Sequence, residues 1–507
     1  MPETDHGARF GSKFPLTPKG LPVKYLSTRG EAQAHTFEGV LLAGLARDGG
    51  LYVPETWPSL DRAAIAGLEG LDYADAAYRV MAPFLEGDPC LADLRQALEE
   101  AYDGFHHPAV APLRQIGSNL WILELFHGPT LAFKDLAMQV VARLMNRALL
   151  RRGVHATVIG ATSGDTGAAA IEAFRGLEAI DVFILHPKGR ISDVQRRQMT
   201  TATEPNVHNV AVEGNFDDCQ SIVKAMFSDP ALRDRLDLTG INSINWARIL
   251  AQVVYYFTAG VALGAPFRDV SFTVPTGNFG DIFAGYVAAR MGLPVKRLVI
   301  ATNLNDSLTR AFATGIFEPR SVVATSSPAM DIQLASNFER LLFELSGRNP
   351  ERVRGLMEEL RQAGSFRLDD QELDGLRGLF SAHAVGEHET EMTIRGLCDE
   401  TGIVADPHTA VGIAAARAEQ TAPGMPMIVL STAHPAKFPE AVERASGRVP
   451  EQPERLRLRL GQHERCTTLP NDFKAVADFV CAHSRAPGAT ALGHNRQPAV
   501  AGSGVGA

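Results

Sequence analysis

Cysteine is scarce in this chain and never paired. The 507 residues include five cysteines, Cys90, Cys219, Cys398, Cys466 and Cys481, scattered and without a Cys-x-x-Cys spacing. That excludes a disulfide framework and a cysteine-built zinc site. No HExxH occurs either, so no metal is assigned. Apolar runs stay short of the roughly 18–20 residues a membrane span needs. The segment Met1–Gly30 is polar and charged, without the apolar core of a signal peptide. Basic residues form no block: 49 Lys and Arg stand against 58 Asp and Glu, for a net charge of −9. A nucleic-acid binder would show a positive footprint. These absences point to a cytoplasmic protein with no nucleic-acid and no membrane partner, whose substrate is held by local groups.

What is present is ordinary for a globular protein, with 45% apolar and 21% charged residues, enough for a large core without staples. Thr36–Ala46 and Leu91–Tyr102 carry apolar residues at helical spacing, so residues 1–105 read as a helical segment. From Leu120 short apolar runs alternate with helices. Trp121–Leu123, Ala156–Ile159, Val182–Leu185, Ser271–Val274, Arg297–Ile300 and Met427–Leu430 read as buried strands. Asp135–Arg151, Ala168–Arg175, Ala247–Leu263 and Ile282–Met291 read as helices between them. This alternation predicts an α/β fold with mostly parallel sheets flanked by helices over residues 106–450. A charged helical insertion is expected at about 337–399. Residues 451–507 form a C-terminal extension, and its Gly-, Ala- and Ser-rich tail Ala501–Ala507 is expected to be disordered.

Four segments at strand-to-helix junctions are candidates for chemistry, because ligands bind beyond the carboxyl ends of parallel strands. In His127–Asp135, Lys134 opens a helix, where the dipole depresses the pKa of an amine, as a nucleophilic lysine requires. Ala161–Gly167 (ATSGDTG) and Pro275–Asp281 (PTGNFGD) offer small residues and free backbone N–H groups at helix starts, a setting for anions. In Asn242–Arg248 (NSINWAR), an arginine that can grip phosphate with two hydrogen bonds opens a long apolar helix. Each alone also has an ordinary reading, as a helix-end lysine, a capped turn or a surface arginine. Together they suit a phosphorylated cofactor held covalently by lysine, with a second anionic site for substrate.

At this point the sequence resembles the threonine synthase family, pyridoxal-phosphate enzymes of the tryptophan-synthase-β-like fold (fold type II), in its enterobacterial and fungal branch. Seven segments carry the resemblance in order: Gly44–Pro54 (GLARDGGLYVP), Leu123–Asp135 (LELFHGPTLAFKD), Ala161–Gly167, Asn242–Arg248, Pro275–Asp281, Asp406–Gly412 (DPHTAVG) and Leu430–Phe438 (LSTAHPAKF). The resemblance implies that Lys134 forms a Schiff base with pyridoxal 5'-phosphate. Gly277, Asn278, Phe279, Gly280 and Asp281 are to cradle the cofactor phosphate through backbone N–H groups, and Thr432 is to hydrogen-bond the pyridine nitrogen. Ser163 and its loop are to hold the substrate carboxylate, and Thr166, Asn242, Ser243 and Arg248 the substrate phosphate. Asp165 stands where this fold usually has Asn beside the cofactor 3′-oxygen, and an aspartate there would have to share a proton.

The implied reaction converts O-phospho-L-homoserine and water to L-threonine and phosphate, by loss of phosphate from Cγ and addition of water at Cβ. The alternative fate of the same unsaturated intermediate is release of 2-oxobutyrate. A monomer or homodimer is expected. His127, His408 and His434 lie in matched segments, but a structural hydrogen-bonding role is the better expectation for each. Lys437 is either phosphate-facing or a surface residue.

Overall fold

The computed structural model describes residues 22–31, 33–162, 164–240, 243–419 and 424–486. The larger of its two main sheets has six strands, in the order Phe380–Ala384, Val295–Thr302, Val270–Pro275, Met427–Ser431, Leu120–Glu124, Leu113–Gly117. All neighbours are parallel except the last two, which form an antiparallel pair. The smaller sheet is parallel throughout, in the order Thr467–Pro470, Val207–Glu213, Ile180–Pro187, Ala156–Ala161, Leu238–Gly240. Val270–Pro275 and Ile180–Pro187 are buried along their whole length. Helices cover parallel strands on both faces, which is why these strands read as unbroken apolar runs rather than as an alternation.

The helix Trp246–Ala262 is buried almost all round, so its sequence lacks a polar face. It packs against the helices Tyr73–Met81, Lys134–Arg152 and Gly280–Arg290. Rings of Tyr25, Trp57 and Phe84 surround Trp246 at 5.9–6.1 Å between centroids. The N-terminal segment therefore shares one apolar core with the α/β region.

The structure adds detail to three sequence expectations. The N-terminal segment is not all helical, since Tyr25–Ser27 and Tyr52–Pro54 pair antiparallel. The insertion at 337–399 is interrupted by Phe380–Ala384, which becomes an edge strand of the larger sheet. Its Phe-Ser-Ala-His-Ala sequence is half-buried and carries no apolar run, so local pattern could not reveal it. Residues beyond 451 are no mere extension. Glu454–Leu460 and Phe473–His483 are helices, and Thr467–Pro470 closes one edge of the smaller sheet. Proline at the end of that strand is tolerated because an edge has a free side. The tail Ala501–Ala507 lies outside the described residues.

Candidate active site

Three loops leave the carboxyl ends of three adjacent strands of the larger sheet: 125–133 after Leu120–Glu124, 276–279 after Val270–Pro275, and 432–434 after Met427–Ser431. The first and third are zipped together. Leu125 N–H donates to Ser431 O (2.9 Å), Phe133 N–H to Thr432 O (2.9 Å) and His434 N–H to Leu131 O (3.0 Å). Leu131 turns the chain with φ of 62°, a strained value for leucine. Its side chain is held by burial against Val194, Ala436 and Leu456. Asp135 closes the turn from inside, accepting from Thr130 N–H and Thr130 Oγ1, both at 2.7 Å. Lys134 thus enters the first turn of Lys134–Arg152 directly beside Thr432, which is buried.

The smaller sheet delivers the other loops. Thr162 Oγ1 accepts from Gly164 N–H and Gly167 N–H, both at 2.9 Å, and so starts the helix Asp165–Phe174. Gly164 has φ of 143°, and a Cβ there would lie 2.4 Å from Gln195 Cδ. No other residue fits. Gln195 Nε2 in turn donates to Asp165 Oδ1 at 2.9 Å. Thr166 is half-buried in the first turn of the same helix. Ser163 and Asn242 lie outside the described residues. Ser243 is half-buried. Asn245 caps the helix Trp246–Ala262 by accepting from Ala247 N–H (3.0 Å), and it ties that cap to Leu41 O (2.9 Å). Arg248, three residues after Asn245, is buried.

The electrostatics centre on Lys134. Its amine lies 3.9 Å from Asp165 Oδ2 and 4.7 Å from the centre of the Phe133 ring. Burial pushes the Lys134 pKa down. Asp165 opposes this, while Lys437 and Arg248 add to it. Burial of the Arg248 guanidinium lowers it to about 10. Asp165 is pushed up by burial, yet Lys437, Lys134 and hydrogen bonds from Gln195 and Lys437 hold it well below the usual carboxylate range. Its carboxylate lies between the nitrogens of Lys437 (3.0 Å) and Lys134 (3.9 Å).

The loop 276–279 brings Phe279 into the left-handed region, φ 65°, as the residue before the helix Gly280–Arg290. Among the described residues no side chain caps this helix, so its first N–H groups remain open to an anion. The Asp281 side chain turns away from that opening. Its Oδ1 accepts from Tyr255 (2.5 Å) and Tyr256 (3.1 Å), and burial pushes the carboxyl up to about 6. Gly277 is a glycine for packing, because a Cβ would meet Ala329 O at 2.9 Å and Ile332 Cδ1 at 3.0 Å.

Several residues were invisible to local pattern. Lys437 is fully buried against Asp165, not on the surface. Asn337 donates from its backbone (3.1 Å) and Nδ2 (3.0 Å) to Asn278 O, and from Nδ2 to Ser243 O (3.3 Å). Arg340 bonds Asn337, Ile244 O and Tyr52 O. This pair stitches the loops around Asn278 and Ser243 together, from a stretch that reads only as a charged helix. Each of the three histidines of the matched segments has a hydrogen-bond partner within the fold. His127 pairs with Glu124 (2.8 Å), and His434 Nδ1 accepts from Ala436 N–H (3.1 Å). His408 Nδ1 meets Asp406 (2.8 Å) and its Nε2 accepts from Ala329 N–H (3.1 Å).

A mostly parallel and a fully parallel sheet, with a buried lysine and a helix start that has no side-chain cap, fit the class of pyridoxal-phosphate dependent enzymes, and that family's model matches residues 106–432. Flanking it, residues 24–102 match the threonine synthase N terminus and residues 409–480 the threonine synthase C-terminal family. The threonine synthase of Pseudomonas aeruginosa is 52% identical over 462 residues, covering 91% of this chain and 98% of that protein. That of Saccharomyces cerevisiae is 42% identical over 455 residues, 83% and 88% of the two chains. The crystal structure of PLP-bound threonine synthase from Brucella melitensis aligns with a TM-score of 0.90 at 54% identity, covering 92% of this chain and 100% of that one. The chain belongs to the threonine synthase family. No helix among the described residues is long and apolar enough to cross a membrane.

Proposed function

We propose that this chain binds pyridoxal 5'-phosphate and converts O-phospho-L-homoserine and water to L-threonine and phosphate. The observation that carries this reading is one buried amine of depressed pKa, Lys134, flanked by an uncapped helix start at Gly280 and by the buried cation Arg248. A buried amine of lowered pKa beside two places for phosphate matches a phosphorylated cofactor and a phosphorylated substrate. The residues fit the cofactor. Lys134, its pKa lowered by burial, would hold its carbonyl, the amides of Gly277–Asp281 would hold its phosphate, and the Thr432 hydroxyl would meet its ring nitrogen. When bound, the cofactor supplies an electron sink for charge developing beside the substrate amine.

The protein's own groups do the rest. Lys134, its pKa lowered by burial, takes the proton from Cα and moves protons at Cβ and Cγ. Arg248, Thr166, Ser243 and Asn242 grip the substrate phosphate and stabilise its growing charge as it leaves Cγ. Ser163 and the adjacent amides hold the carboxylate. The ionised Asp165, kept in place by Lys437 and Gln195, faces the Lys134 nitrogen with a fixed negative charge. Water adds at Cβ after phosphate has left. All five cysteines are free, which suits a cytoplasmic enzyme, acting as a monomer or homodimer without nucleic-acid partners. Incubating the holoenzyme with O-phosphohomoserine should give threonine and phosphate in equal amounts. Release of 2-oxobutyrate in place of threonine would overturn the reading in favour of a phospho-lyase.

A further inference from the structure

A lysine with no exposed side-chain surface is rare, because desolvating an ammonium is costly unless each of its protons is matched. Lys437 meets that condition. It sits in the single helical turn Pro435–Lys437 just beyond Thr432. Its Nζ donates to Thr130 O (2.8 Å) and Gln198 Oε1 (3.1 Å), and it pairs with Asp165 Oδ1 (3.0 Å). Three donors meet three acceptors. Thr130 belongs to the loop that carries Lys134, and Asp165 begins a helix of the smaller sheet. One ammonium therefore joins the two halves of the site. On Asp165, Lys437 and Gln195 occupy Oδ1, and Oδ2 is left towards Lys134 at 3.9 Å.

We propose that Lys437 is a positioning residue for the reaction: its ammonium fixes the Asp165 carboxylate and balances its charge, so that the Lys134 nitrogen beside it stays a neutral nucleophile and base. The proposal rests on the assignment of Lys134 made above. A lone carboxylate at this distance would hold Lys134 as an ammonium by simple ion pairing. With Lys437 bound to the same carboxylate, the local charge becomes that of two cations sharing one anion, and shedding the proton of Lys134 relieves it. The charged groups facing Lys134 are Asp165, Lys437, Arg248 and Asp135, and Asp281 senses Lys134 in turn. Only Lys437 and Lys134 touch Asp165 as ion-pair partners among the described residues. A purely structural lysine would alter folding stability without moving the protonation of its neighbour.

The test is a pH titration of the visible absorption of the full-length holoenzyme, without substrate. Its midpoint reports protonation at the Lys134 nitrogen. Lys437→Met should raise the midpoint by about 1–3 pH units, the usual effect of an opposite charge left alone at close range. Asp165→Asn should lower it, and Lys437→Arg should restore most of the wild-type value. The acid limb of kcat/KM should move with the midpoint. The double variant Lys437→Met with Asp165→Asn leaves no unbalanced buried charge, so it stays informative if Lys437→Met alone does not fold. Its midpoint should lie above that of Asp165→Asn. A midpoint unmoved by Lys437→Met, or equal midpoints in Asp165→Asn and the double variant, would overturn the role of Lys437. Because no substrate is present, that failure is separate from failure of the proposed reaction, which would show as absent threonine formation with the shifts intact.

Discussion

Replacing Arg248 with alanine removes the one cation that reaches the site from the helix Trp246–Ala262. The side chain is 4% exposed, and burial lowers the guanidinium to about 10, so it remains charged at neutral pH. Its fork can satisfy two oxygens of one phosphate, and the surrounding desolvation makes those bonds strong. Losing a hydrogen-bonded charge partner from such a site costs about 2–5 kcal/mol. At about 1.4 kcal/mol per factor of ten, kcat/KM for O-phosphohomoserine should fall roughly 30-fold to several thousand-fold. Part of the loss should appear in kcat, because negative charge grows on the phosphate as it departs. Arg248→Lys should recover only a fraction, since an ammonium is a point charge without the planar fork. The visible absorption of the bound cofactor should persist, because the proposal assigns the cofactor phosphate to the helix start at Gly280 and not to Arg248. Steady-state kinetics and spectra on both variants settle the matter. Near-normal kcat/KM, or loss of the cofactor band with the fold intact, would refute the assignment.

Lys134→Ala should abolish turnover, and borohydride reduction of the wild-type holoenzyme followed by peptide mapping should place the label on Lys134; a label on another lysine would displace it from its role. Gly277→Val should weaken cofactor retention on dialysis, because even its Cβ would press on Ala329 O and Ile332; a fully retained cofactor with only substrate binding impaired would exchange the two anion sites. Asp281→Asn should stabilise the protein more at pH 8 than at pH 5. The folded carboxyl titrates at about 6 against about 3.9 when unfolded, so between those values the native state binds more protons and wild-type stability falls as pH rises. Thermal melts at both pH values read the difference, and an equal gain at each would discount the burial of this carboxyl as its source.

The sequence by itself determined the helix starts, the buried strands and the loops where chemistry gathers. These are local matters. Asn245 caps a helix by its own neighbours, Gly164 suits a backbone angle of φ 143° that other residues rarely adopt, and apolar runs such as Val270–Pro275 announce burial directly. Ordered motifs then pointed to Lys134, Thr432, Arg248 and the loop Gly277–Asp281 as candidates for one site. What only the tertiary structure decided is which distant groups meet. Lys437 stands 272 residues after Asp165, and nothing in its own segment says that it is buried or paired. Asn337 and Arg340 reach loops nearly a hundred residues away in sequence. Phe380–Ala384 and Thr467–Pro470 are strands because an existing sheet edge offers them hydrogen bonds, not because their own sequences insist on it. The ionisation of Lys134 and Asp165 belongs to the same class. Charge in a protein interior is set by burial and by neighbours across space, and the linear sequence carries neither until the chain has folded.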